Sequence, residues 1–518
     1  MNSEQCPALL YFASQLVQLR YRILKKRSLV ISALAAMVTA GILAGCGNNY
    51  YFAGRVLPPS GIANRVLIAI QNPTPASRGA LQFVDAYYDI RQNYRDTIPY
   101  FSISGYSGAL PVTIQNLPEE QIGAVYGSGD GSFAAVNYAK ESSGGSIASL
   151  GTLSRSIFVS RNQLYVIAAD SQAHILTVVD RTAGRTYSLG LPGVYRVTVN
   201  PGGSVMMAFV QNSNYAYYPR KLQSSESAYL AGYYTSHNNT WPQPFVDCEP
   251  QNLPGMCLAQ MQSPDHLNSN INAYYGAPLS FDRPVKAMWS SDGSTAYILN
   301  CGAECGGTAS SITVLPTAPL NVQSGQQSGQ LPTTAALSTL TTAIPGGASN
   351  ALINSETMYV MGQELMPDGL FAGNLTVVDL TNSAPGLPLP TPGAPIPVSD
   401  GAPGQRTRMI LADDNTLWLG TIRCSQGERA ATGQPFGCLT MFNTSTNTVT
   451  MLEPFQGDLT GIAAVTGLHK IYIAEGGQVY IYSTKDGTAI NNFYVTVNGT
   501  AYDVAYMDAI TDSDNTVY

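Results

Sequence analysis

A three-strand phrase recurs along this chain and limits its fold more than any other feature. From about residue 120 onward, a short alternating strand leads to a turn of Asp, Asn, Gly or Ser. A second apolar strand, a gap and a third strand follow. Ile157–Ile167 with Ile175–Asp180 is the cleanest copy. Others begin at Gly123, Val197, Ala287, Ala351, Met409 and Gly461. Alternation within each segment has period two, which marks strands rather than helices. No amphipathic helix of twelve or more residues is legible after position 50. Composition agrees where it bears on this. The chain has 49 Gly and 32 Pro to make turns, and 31 Tyr against 14 Phe and 3 Trp, which suits half-buried strands. Hydrophobic residues are 45% and charged residues 11%, the opposite of a disordered chain.

Aligned on the first strand, the copies centre near Val125, Phe158, Val197, Met288, Leu352, Ile410, Ile462 and Val504. They stand roughly 30 to 90 residues apart. The short intervals match the ~40–45 residues of a β-propeller blade, and the long ones read as the same unit with inserted loops. The ends complete the pattern. Tyr502–Tyr506 is a first strand with no third strand after it, whereas Val66–Ile70 and Ala80–Asp85 are second and third strands with no first. One blade is therefore expected to be split between the N- and C-terminal segments, which closes the ring and removes free sheet edges. The expected fold is all-β, a propeller of seven or eight blades over residues 64–518, with long rim-loop insertions. The count favours eight, and Gly123–Leu153 is the copy expected to be a partial blade.

Asn200-Pro-Gly-Gly-Ser and Ser290–Asn300, each followed by a gap and a strand such as Ile312–Leu315, resemble YVTN-type and lactonase-like β-propeller repeats. Trp289–Gly307, ending in Cys301-Gly-Ala-Glu-Cys305-Gly-Gly, is similar to repeats of exported bacterial propellers. The resemblance covers roughly residues 120–500. It implies a ring, and in the lactonases carboxylates around a central metal. No acid, base or metal ligand of that family maps onto a numbered position here.

The N-terminal segment carries the address. Lys25-Lys26-Arg27 precedes the apolar Ser28–Leu43, and Leu43-Ala44-Gly45-Cys46 follows. This resembles a bacterial lipoprotein signal peptide: a positive end, an apolar stretch that enters the bilayer, and small residues before a Cys. Residues 1–45 are then a removable leader, Cys46 is the lipid attachment site, and residues 46–63 are a tether. An uncleaved anchor over Ser28–Gly45 is the competing reading. Gly47 rather than Asp after the Cys favours the outer membrane or cell surface over the inner membrane.

Setting aside Cys6 and Cys46 leaves Cys248/Cys257, Cys301/Cys305 and Cys424/Cys438, three close pairs that read as disulfides in an exported chain. A zinc site from Cys301, Cys305, Cys424 and Cys438 is the alternative. A bridge between Cys301 and Cys305 requires the segment to turn back, because five extended residues hold their ends ~13 Å apart. Gly302 makes that turn accessible.

Function is expected in the inserts. Residues 211–283 are rich in Tyr and hold Tyr217, Tyr218, Tyr233, Tyr234 and Trp241, candidate contacts for a protein, peptide or glycan of the envelope. The alternative is that these rings pack the insert onto its own blade. Residues 316–347 and 383–405 are rich in Thr, Ser, Gly, Gln and Pro and read as flexible surface loops. The net charge of −7 opposes nucleic-acid binding. No Gly-x-Ser-x-Gly, Walker or His-Glu-x-x-His sequence is present, so no catalytic residue, metal ligand or cofactor is assigned. Asp130, Asp292, Asp413 and Asp414 sit in inter-strand turns, Glu304 reads as an exposed loop acid, and His174 and His469 read as structural. A monomeric, membrane-anchored binding or scaffold module is expected. The second reading is a hydrolase or lactonase with a metal in the central channel.

Overall fold

In a computed structural model, antiparallel pairing gathers the strands into eight sheets. The structure describes residues 55, 57–72, 78–89, 101–152, 154–159, 165–181, 184–191, 193–202, 205–220, 236, 256–257, 273–276, 281–320, 338–365, 371–399, 408–421, 438–452, 457–495 and 497–511. Blade 1 is split: Thr500–Tyr506 is its inner strand, Arg65–Gln71 the second and Ala80–Asp85 the third. Blade 2 is Pro111–Leu117, Ile122–Gly127, Ser132–Asn137 and Ser142–Ser149. Blade 3 is Ser154–Val159, Tyr165–Asp170, Ile175–Asp180 and Arg185–Gly190. Blade 4 is Val194–Val199, Met206–Val210, Ala216–Arg220 and Ala273–Gly276, with Met256–Cys257 as a fifth, outermost strand.

Blade 5 is Pro284–Trp289, Thr295–Asn300, Ser311–Pro316 and Thr341–Ala343. Blade 6 is Asn350–Asn354, Thr357–Leu365 and Phe371–Asp379, its outer edge shared by Thr391–Pro392 and Ile396–Ser399. Blade 7 is Arg408–Ala412, Thr416–Thr421, Cys438–Asn443 and Thr448–Met451. Blade 8 is Leu459–Val465, Lys470–Glu475, Gln478–Ser483 and Ala489–Val495. Eight blades are present, one of them split as the sequence implied.

The core lies between blades, and the period of two explains how. Val66, Ile68 and Ile70 pack with Tyr472, Ala474 and Ile481 of blade 8. The intervening Leu67 and Ala69 pack with Ile114, Val125 and Val136 of blade 2. One strand thus serves two neighbours, because successive side chains leave a strand on opposite faces. Second strands are accordingly buried on both faces. Thr295–Asn300 is buried at every position, a continuous run rather than an alternation.

Blade 2 departs from the expectation. Gly123–Leu153 is not a partial blade lacking a partner; it holds the second to fourth strands of a complete one, whose inner strand is Pro111–Leu117. Val125 therefore sits in a second strand. The stretches read as flexible loops also hold outer strands, Thr341–Ala343 within 316–347, and Thr391–Pro392 and Ile396–Ser399 within 383–405. Proline is tolerated there because an outermost strand need donate hydrogen bonds on one side only.

The ring closes through buried charge. The Arg65 guanidinium, 0% exposed, donates to Asp508 at 2.8 Å, to Glu141 at 2.8 Å and to the Tyr138 carbonyl at 2.8 Å. Glu141 also accepts from the Ser60 N–H at 3.0 Å. Residues near both ends of the ring are thereby fastened to blade 2.

Candidate functional sites at the channel mouth and on the rim

The antiparallel order assigns every loop to a face. Connections from second to third strand, and from a fourth strand to the next blade, emerge on one face, called upper here. The first-to-second and third-to-fourth connections emerge on the lower face. The inner strands touch their neighbours in sequence from blade 3 round to blade 2 and surround the axis.

Charged side chains bridge these inner strands at their upper ends. Arg196 of blade 4 donates to the carbonyls of Val285 in blade 5, at 3.3 Å, and of Ser349 at the start of blade 6, at 3.2 Å. A contact that skips a blade must reach past the intervening strand near the axis. Lys286 of blade 5 donates to the Asn350 Oδ1 of blade 6 at 2.6 Å. Across the ring, Arg408 of blade 7 donates to Asp503 of blade 1 at 3.3 Å, and Asp503 accepts the Ile114 N–H of blade 2 at 2.8 Å.

Glu304 joins the first cluster. The reading of Glu304 as an exposed acid is overturned: its Oε2 accepts the Gln363 N–H of blade 6 at 3.0 Å, and its Oε1 is buried without a hydrogen bond. The loop carrying it follows the second strand of blade 5 and forms a 3₁₀ turn, Gly302–Cys305. Cys301 and Cys305 close that turn as a disulfide, S–S 2.09 Å and Cα–Cα 5.6 Å. The zinc reading thereby loses two of its four thiolates. Gly302 turns the chain at φ +61°, and a Cβ there would lie 2.3 Å from the Ala309 carbonyl carbon.

Burial pushes the Glu304 carboxyl up to about 7, against the opposing pull of the Gln363 N–H, the Ser349 hydroxyl and the Arg196 guanidinium. The Ser349 hydroxyl also stands 3.2 Å from the Met361 carbonyl. Burial, reinforced by Arg196, holds the Lys286 ammonium well below its ordinary range. Tyr195 is raised to about 12, chiefly by burial. The mouth therefore holds a carboxyl that exchanges its proton near neutral pH, facing the Arg196 guanidinium.

The other candidate residues fall as follows. Tyr217 is 2% exposed and packs with Leu176, Leu191 and Ala208, so its ring belongs to the blade core. Tyr218 lies in the strand Ala216–Arg220. Tyr233, Tyr234 and Trp241 lie outside the described residues, as do Cys46, Cys248 and Cys424. Cys257 lies in the fifth strand of blade 4. Cys438 is disulfide-bonded, and its partner lies outside the described residues. It stands opposite Thr421, at the base of the second-to-third connection of blade 7.

His469 has a carboxylate partner that sequence spacing did not reveal: its Nδ1 is 2.8 Å from Asp414 Oδ2, which also accepts from Thr484 at 2.7 Å. Asp413 accepts the Gly467 and His469 N–H groups. This set joins lower loops of blades 7 and 8. His174 accepts the Gly193 N–H at 3.1 Å and joins blade 3 to the approach to blade 4. Asp130 and Asp292 cap their own turns. Among the described residues, no three His, Cys, Asp or Glu side chains group as metal donors.

No protein-family model matches the chain, and no curated protein matches it. Solved structures are similar at low identity. Hydrazine synthase of Kuenenia stuttgartiensis is similar at 11% identity over 72% of this chain and 95% of that one, TM-score 0.43. A dihydro-heme d1 dehydrogenase, NirN, is similar at 10% over 86% and 75%, TM-score 0.46. A putative 6-phosphogluconolactonase of Bacteroides fragilis is similar at 11% over 76% and 96%, TM-score 0.40.

Proposed function

We propose that the protein is a binding or scaffold propeller of the cell envelope, anchored through a lipid on Cys46, that engages an envelope protein, peptide or glycan through its rim loops. One observation carries the reading. The disulfide-closed turn Cys301–Cys305 and the bonded Cys438 both stand at second-to-third connections, in blades 5 and 7, and so on the same upper face. Covalent closure spends its stabilisation on loops there rather than on the ring, which is already held by its inter-blade cores. Loops fixed before contact lose less entropy on binding, and this is the physical advantage of a preorganised surface. Ser60 meets Glu141 on the lower face. The Tyr-rich segment 221–272 leaves and re-enters blade 4 on the lower rim, so the upper-face contact proposed here does not use Tyr218, Tyr233, Tyr234 or Trp241.

The test places a photo-crosslinking residue at exposed Ala303, on the upper face, or at exposed Lys485, on the lower face, in the full-length chain in its own membrane. Adducts with an envelope component from position 303 and none from 485 are expected. Equal labelling from both positions, or labelling from neither, removes the assignment of the upper face.

A further inference from the structure

We propose that the Cys301–Cys305 turn is a proton-sensitive clasp across the joint between blades 5 and 6 at the channel mouth, with Glu304 as its tongue. This stands apart from the binding reading and needs no ligand.

The geometry shows why a carboxylate sits there. The inner strand of blade 6 begins at Asn350, which pairs with Met361 of the second strand. The Ser349 N–H still reaches the Met361 carbonyl at 2.8 Å. Gln363 lies two residues further on, past the end of the inner strand, so its N–H has no strand carbonyl to meet on that side. The Glu304 Oε2 takes the place of that carbonyl from the neighbouring blade. The turn that delivers it is held on its own side. Cys301 and Gly302 donate to the carbonyls of Arg283 and Asp282, and the Asp282 carboxylate accepts the Thr308 and Ala309 N–H groups. The disulfide shortens the lever, so the carboxyl has one short path to blade 6.

The second oxygen makes the arrangement conditional. Oε1 is buried with no donor on it, which is costly for a charged carboxylate and tolerable for a protonated one. The described groups facing this carboxyl are Arg196 and Tyr195 from blade 4 and Ser349 and Gln363 from blade 6, with Lys286 of blade 5 in the same mouth beside Arg196. Arg196 favours the charged form, and burial outweighs it. The sign follows. The closed clasp binds the Glu304 proton more tightly than an open, solvated one, since its carboxyl sits at about 7 rather than 4.5. Lowering the pH closes the clasp and raising it through that window favours opening, by up to tenfold per unit. Above about 7 both forms are ionised and the dependence ends.

Hydrogen exchange of the Gln363 amide in the full-length protein reads this directly. Its protection factor, corrected for intrinsic exchange, should fall by roughly 70-fold between pH 5 and pH 8 if the carboxyl moves between the two values. Glu304→Gln, neutral throughout, should flatten that dependence while amides of blade 3 exchange as before. The double variant Cys301→Ser/Cys305→Ser should lose Gln363 protection already at pH 5. A protection factor that is flat with pH, or that falls equally in Glu304→Gln, overturns the clasp. Carbon NMR of the Glu304 carboxyl in the unaltered protein decides independently of any variant: a midpoint near 7 supports the clasp, and one near 4.5 sinks it.

Discussion

At the scale of single residues, Gly302 decides whether the Cys301–Cys305 turn can close, because its φ of +61° lies in the left-handed region. The turn between Cys301 and Cys305 was legible because five residues can bring two thiols together in few ways, and Gly302 marked where the chain reverses. Glu304 in the same turn was not legible. Its burial comes from Arg196 on another blade and from Gln363, 59 positions away. His469 and Asp414 were each visible, but their pairing spans 55 positions and two blades. Gly302 also yields a prediction. Its φ of +61° and the 2.3 Å approach of a Cβ to the Ala309 carbonyl carbon leave no room for a side chain. Gly302→Ala should cost about 1–3 kcal/mol and leave a fraction of Cys301 and Cys305 unbridged. Thiol alkylation under denaturing conditions, with the denaturant midpoint, reads both; full oxidation with an unchanged midpoint would show that the turn tolerates the methyl.

At the scale of elements, apolar strands were found and polar ones were missed. Pro111–Leu117 reads poorly as a strand because Thr113, Gln115 and Asn116 break its apolar run. Those residue types suit an inner strand facing the polar seam of the axis, where Asn116 donates to the Tyr506 carbonyl and accepts from Tyr138. Outer strands were missed for the opposite reason. Ser142–Ser149 has no buried residue, so no hydrophobic period marks it. The longest insert makes an element-level prediction. Arg220 and Ala273, its two ends, are register partners in adjacent antiparallel strands of blade 4. A two-residue Asn-Gly turn can therefore replace 221–272 without moving either strand. The shortened chain should keep the circular dichroism of the parent and unfold within a few degrees of it. Loss of cooperative unfolding would mean that the insert, through Met256–Cys257, is part of what holds blade 4.

At the scale of the molecule, the ring is closed by strands from opposite ends of the chain. Ending the chain after Asn498 removes the inner strand of blade 1 together with Asp508. It leaves Arg65 buried beside an open edge, and losing one partner of a buried ion pair alone costs about 3–5 kcal/mol. Such a chain should elute as aggregates or oligomers and lack a sharp melting transition. A monomer that melts cooperatively would show that seven blades and two strands suffice. Arg65 and Asp508 lie 443 positions apart. The contact that finishes the fold therefore cannot form until residue 508 has been made, whatever the blades before it have done. Until it happens, Arg65–Gln71 presents an unpaired edge in every growing chain. Maturation thus turns on one pairing: a chain that stops before Thr500 is not a slightly shorter ring but an open one.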